Sequence, residues 1–259
     1  MTDLVEVHQD SQPDLSPLID RLHLLSGLGE PERTALKELF QSSEWLDPGA
    51  PIVVEGETLR SVVVLTSGMA GCHKSARSGR RQIIALLVRG DLCGDYSQLS
   101  HPMHFAVSAL TRVCLARVGI EALWDLLDRY PLIGRALRNA SLVQEAILRA
   151  WVINLGQRPA MERLAHLLCE LEHRMRSSGL LISHDQFALP LNQGELGSAL
   201  GMTSVHVNRV LQKLRGDQLI AFHSRMVRIK DLPRLHAIAE FDPTYLDQRY
   251  AAGFPKHPV

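Results

Sequence analysis

Seven residues in one short run have the chemistry to read a nucleic acid: Ser204, Val205, His206, Asn208, Arg209, Gln212 and Lys213. On a helix starting at residue 203 they share the outward side. A guanidinium there can give two parallel hydrogen bonds to a guanine edge, and a valine methyl can touch the methyl of thymine. Arg209 is therefore the residue for guanine, Val205 for thymine, and Asn208 for adenine or phosphate, with His206 and Lys213 beside the backbone.

Such a surface needs a frame, and LNQGELGSALGMTSVHVNRVLQKL, residues 191–214, supplies one. Leu196 and Leu200 face inward on a first helix, and Gly197 must be small where the second helix crosses over it. Gly201 supplies the left-handed turn, since a Cβ there costs energy. Met202 plugs the corner, Thr203 caps the second helix, and Val207 and Val210 return to the same core. All these positions fit a helix-turn-helix. Asn192 and Gln193, where the first helix begins, join the expected DNA contacts. Beyond it, AFHSRMVRIKD reads as a hairpin, strands 219–222 and 226–229, with Arg225 at its tip to meet a phosphate. A hairpin after a recognition helix is a wing.

Charge follows the same division. From residue 203 to 230 Arg209, Lys213, Arg215, Arg225, Arg228 and Lys230 face only Asp217, whereas residues 1–60 hold twelve acidic side chains against four basic ones. An acidic front and a basic back end imply two jobs in one chain of zero net charge. Apolar content of 46% and charged content of 22% are those of a globular protein, and neither a membrane span nor a secretory leader is expected. Cys72, Cys93, Cys114 and Cys169 are scattered without a CxxC pair, which points to a reducing cytoplasm. No GxSxG, HExxH or Walker-type loop suggests an enzyme.

The remaining elements give an α+β chain. Residues 18–40 read as two short helices broken near Gly27 and Pro31. Residues 45–118 alternate short apolar runs (PIVV, SVVVLT, QIIALLV) with turn signals, as in an antiparallel barrel or sandwich, with a hairpin turn at Ser78-Gly79. Residues 131–155 are helical, and Ile133, Leu137, Ala140, Gln144, Ile147 and Trp151 form a heptad seam expected to face a second copy of the chain, Gln144 setting its register. Gly156 to Pro159 is the expected domain boundary, after which His166 and His173 lie on partly exposed helix faces. The domains are then 18–130, 131–155, 156–235 and a tail, 236–259.

This order resembles the family of the cyclic-AMP receptor protein and the fumarate-nitrate reduction regulator (Crp/Fnr) over residues 18–235. It is carried by the DNA motif, by PIVVEGE and by RGDLCGDY. The resemblance implies a double-stranded β-helix of the cyclic-nucleotide-binding type, a dimerisation helix and a winged helix-turn-helix. It implies a homodimeric transcription regulator that binds a pseudo-palindromic site on double-stranded DNA and contacts RNA polymerase. Ser204, Val205, Asn208 and Arg209 would be its base readers. The best-known relatives carry Glu where this chain has Val205, so the half-site differs.

The resemblance also locates an effector pocket, at Gly94, Asp95, Tyr96, Met103 and His104. Relatives hold a cyclic phosphate there with a Gly-Glu pair and an Arg-Ser pair; here Gly94-Asp95 stands at the first and Met103-His104 at the second. No Lys or Arg lies between Asp91 and Thr111. Losing the arginine forfeits a charged hydrogen bond of about 1.5–3 kcal/mol. The expectation is therefore a less anionic small molecule or none, and no cofactor. The alternatives are a haem or thiol sensor using His73, His101, His104, Cys72, Cys93 or Cys114, and a dimeric ligand-binding module that reads no DNA.

Overall fold

The computed structural model describes residues 12–77, 79–94, 101–183 and 185–246. Two helices open it, α1 (Ser16–Ser26) and α2 (Glu30–Leu39). Gly27 ends the first in the left-handed region, φ +68°, and Pro31 stands in the first turn of the second. Seven strands follow: β1 (Ser43–Leu46), β2 (Pro51–Val53), β3 (Ser61–Ser67), β4 (Ala70–Ser75), β5 (Arg81–Leu87), β6 (Ala106–Ala109) and β7 (Val113–Gly119). Every pairing is antiparallel, in two sheets ordered β1–β7–β3 and β2–β6–β4–β5. Their inward side chains, among them Ile52, Val63, Leu65, Val107 and Leu115, meet in one apolar core. This is the expected β-roll. Its β4–β5 hairpin passes through Gly79 at φ +78°; Ser78 is outside the described residues.

A short helix, α3 (Ile120–Arg129), leads into the long α4 (Pro131–Gln157). Here the structure corrects the expected dimer seam. Ile133, Leu137, Ala140, Ile147 and Trp151 are buried within the protomer and Gln144 is half-buried. The cause is α1, which packs along α4 and brings Leu18, Leu22 and Leu25 into the same core. Asn139 fixes that pairing by donating to Leu25 O at 3.1 Å and Ser26 Oγ at 3.0 Å. What α4 leaves in solvent is a different apolar set: Leu142, Leu148, Val152 and Ile153.

The C-terminal part comprises α5 (Ala160–Ser177), β8 (Gln186–Ala188), α6 (Gln193–Leu200), α7 (Ser204–Gly216), β9 (Ile220–His223), β10 (Met226–Ile229) and α8 (Leu232–Ala239). Strand β8 adds to the expected hairpin to make a sheet ordered β8–β10–β9. Helix α8 runs past residue 235, and Phe241 and Tyr245 pack their rings against His166, at 5.4 and 6.2 Å between centroids. His166 is therefore buried, not partly exposed, and burial pushes its pKa down to about 4.

The two halves are joined by buried charge. Asp91, from the RGD turn of the roll, is fully buried between Arg21 of α1 and Arg174 of α5. Arg174 donates to Asp91 Oδ2 at 2.6 Å and to Leu86 O at 3.0 Å, and approaches Glu170 at 3.5 Å. Glu170 in turn accepts from Trp151 Nε1 at 3.1 Å and from the Tyr245 hydroxyl at 2.9 Å. A second contact lies at β5, the outer strand of its sheet: Ser198 on α6 donates to Arg81 O at 2.8 Å and accepts from Ile83 N at 3.0 Å.

Candidate nucleic-acid interface

Helix α6 starts with a reciprocal cap. Asn192 Oδ1 accepts from Glu195 N at 2.9 Å, and Glu195 Oε2 accepts from Asn192 N at 2.7 Å. Asn192, expected as a DNA contact, thus has its carbonyl oxygen committed to the fold, while Gln193 beside it is exposed. The turn after α6 runs through Gly201 at φ +63°, and Met202 N returns to Gly197 O at 2.9 Å. A Cβ on Gly197 would sit 2.5 Å from the Met202 carbonyl oxygen. The constraint expected at Gly197 is present, and the turn itself imposes it rather than the crossing helix. Gly197→Ala should destabilise the protein by about 1–3 kcal/mol by urea denaturation, as overpacking does. Gly156→Ala, with open space around its Cβ in α4, should be neutral or slightly stabilising.

Helix α7 then begins on Thr203, whose hydroxyl accepts from His206 N at 3.2 Å. Its inner face, Val207, Val210, Leu211 and Leu214, is buried; its outer face presents Ser204, Val205, His206, Arg209 and Lys213 to solvent, with Asn208 half-buried. Thr203, Val205, His206, Arg209 and Lys213 border a groove of about 480 Å³ whose other wall is Ala160 and Met161 at the start of α5. Neither Arg209 nor Lys213 makes a hydrogen bond or ion pair through its side chain among the described residues, and both stand as unpaired cations.

The wing turns on two residues, Ser224 at φ +50° and Arg225 at φ +61°, between His223 and Met226, which pair across the strands. Two consecutive positive φ values make the type I′ geometry that matches strand twist. Arg225 is exposed at that tip, as expected.

Of the residues expected in an effector pocket, Gly94, Met103 and His104 are among those described. Met103 is buried in the apolar core of the roll with Cys93, and Gly94 lies so close to Leu59 that a Cβ would stand 3.0 Å from its methyl. His104 is exposed, its carbonyl accepting from Lys74 Nζ at 2.6 Å. Asp95 and Tyr96 lie outside the described residues. Burial pushes the Cys72 thiol up to about 12 and Cys93 well above its ordinary value, which favours the thiol form of both. No group of three or more His, Cys, Asp or Glu able to hold a metal occurs among the described residues. No described helix is long and apolar enough to cross a membrane.

A β-roll followed by a long helix and a winged helix-turn-helix defines a class of transcription regulators with a sensor fold of the cyclic-nucleotide-binding type. Residues 43–130 match the cyclic nucleotide-binding domain family, and residues 162–238 the Crp-like helix-turn-helix domain family. The chain is 26% identical over 207 residues to the transcriptional activator protein FnrL of Cereibacter sphaeroides, covering 79% of this chain and 83% of that one. It is 28% identical over 207 residues to the transcriptional activator protein Anr of Pseudomonas protegens, with the same coverage. The solved structure of FixK2 from Bradyrhizobium japonicum is similar at a TM-score of 0.68 and 25% identity, over 76% of this chain and 96% of that one. The chain belongs to the Crp/Fnr family and is a transcription regulator with a DNA-binding helix-turn-helix.

Proposed function

We propose that the protein acts as a homodimer, each copy laying α7 in one of two successive major grooves of a pseudo-palindromic DNA site. The observation that carries this reading is the pair of unpartnered cations, Arg209 and Lys213, beside exposed Val205 and His206 on one helix face. Arg209 reads guanine, Val205 and Asn208 complete the half-site, and Arg225 on the wing holds a phosphate. The setting is the cytoplasm, where RNA polymerase is the partner of the N-terminal half. Apolar filling around Met103 supports an effector other than a cyclic nucleotide.

Selection of bound sequences from a random DNA pool tests the reading. The enriched set should be an inverted repeat with half-sites about 10 base pairs apart. Recovery of unenriched sequence would refute it.

The second copy docks on the solvent side of α4. Leu142, Leu148, Val152 and Ile153 are too apolar a set to leave wet on one helix, and Val152 is 65% exposed. Val152→Lys, which touches no core contact, should shift the protein from dimer to monomer in sedimentation while its melting curve stays in place. An unchanged sedimentation coefficient would remove this face as the interface.

A further inference from the structure

Gln144, expected to set the register between two helices, instead lines a half-open cavity of about 200 Å³. The cavity lies where four parts of the chain meet: α1, the RGD turn of the roll, α4 and α5. It is separate from the place around Gly94 and Met103 and from the groove beside α7.

Its polar wall is unusual in its charge. Arg21 and Arg174 both border it, against Asp91 as the one carboxylate on the wall, with Gln144, His173 and Ser177 as neutral or titratable donors. Glu170, the other carboxylate near Arg174, is turned to Trp151 and Tyr245 and does not line the cavity. On the cavity wall itself two guanidiniums thus stand beside one carboxylate. The opposite wall is hydrocarbon: Leu25, Val88, Val143 and Ile147. Size limits the guest. An apolar cavity of about 150 Å³ accepts benzene, so this one has room for a single ring and a carboxylate.

The geometry points to a binding site for a small carboxylic acid, its carboxylate held by Arg21 and Gln144 and its hydrocarbon against Leu25, Val143 and Ile147. The monoanion adds a second acceptor for guanidiniums that share one carboxylate on this wall, and a charge-assisted bond strengthens the apolar contact. Because α5 carries the winged helix, a guest here would bias how the DNA-binding half sits on the roll. That consequence rests on the DNA-binding reading; occupancy of the cavity does not.

The test is a calorimetric titration of the full chain, without DNA, using sodium benzoate and its neutral isostere benzamide. Saturable binding of one benzoate per chain is expected, with benzamide weaker by about tenfold or more. Arg21→Gln should weaken benzoate by about tenfold or more and erase its advantage over benzamide. Should Arg21→Gln not fold, Gln144→Leu preserves volume and should still cost several-fold. Absence of heat with benzoate, equal affinity for benzamide, or unchanged affinity in the folded variants would overturn the site. Failure of DNA selection would leave these titrations unaffected, so the two readings can fail separately.

Discussion

Asp91→Ala is expected to cost about 3–5 kcal/mol of folding free energy, the scale for breaking a buried ion pair by removing one partner. Without the carboxylate, buried Arg174 and part-buried Arg21 are two guanidiniums left side by side, and Val88 N loses the acceptor it meets at 2.8 Å. The pH dependence identifies the group. Burial alone would raise the pKa of Asp91, but Arg174, Arg21 and the Val88 amide hold it below its ordinary 3.8. Its folded pKa is depressed, so its stabilisation is present above 3.8 and is lost as pH falls further. His166 acts in a higher window. Its folded value of about 4, against an ordinary 6.5, means the unfolded chain takes up the proton first, and stability declines as pH drops between the two. Glu170, raised above 4.5, opposes that decline just above its ordinary value, because its protonation favours the folded state. Urea denaturation across this range should show wild type losing stability steeply below pH 3.8 and Asp91→Ala lacking that fall. A midpoint equal to wild type at neutral pH would show that the ion pair holds nothing together.

The second large effect is on DNA. Arg209→Ala should cost about 1–3 kcal/mol per recognition helix and relax the choice of one base pair in each half-site. The side chain has no ion pair to lose among the described residues, so folding stability should not change. Lys213→Ala is the control: as a phosphate contact it should weaken all sequences alike and lower the salt slope by about one. Equilibrium binding to the selected site and to a scrambled one separates the cases. Equal loss on both DNAs for Arg209→Ala would make that residue a backbone contact.

The DNA-reading half was legible because its constraints are local. Gly197, Gly201, Met202 and Thr203 act on neighbours a few residues away, so their spacing carries the turn and the cap by itself. The seam on α4 misled because a heptad pattern records only which face is covered. Helix α1, more than a hundred residues earlier, covers it within the same protomer. Asp91 was hidden for the same reason. Gly90-Asp91 has the composition of an anion-binding turn, yet the carboxylate itself is the anion, and its cations come from residues 21 and 174. His166 and Glu170 likewise take their environment from the segment after α8, which periodicity does not reach. Even so, two traces could be read: the amphipathic run of α3, and the aspartate–proline pairs, Asp231 with Pro233 and Asp242 with Pro243, that start α8 and the turn after it.

The hydrogen bonds from Ser198 to β5 have an implication for the life of the chain as it folds. A strand at the end of a sheet is a template for any passing strand, and proteins usually blunt it with charge, proline or a bulge. Here the blunting is done by a helix translated more than a hundred residues later. Until α6 arrives, the nascent roll exposes an open edge from Arg81 to Leu87, half apolar and ready to zip onto another copy. The DNA-reading motif thus also covers the first residues of that edge, and removing it is expected to make the roll more prone to aggregate.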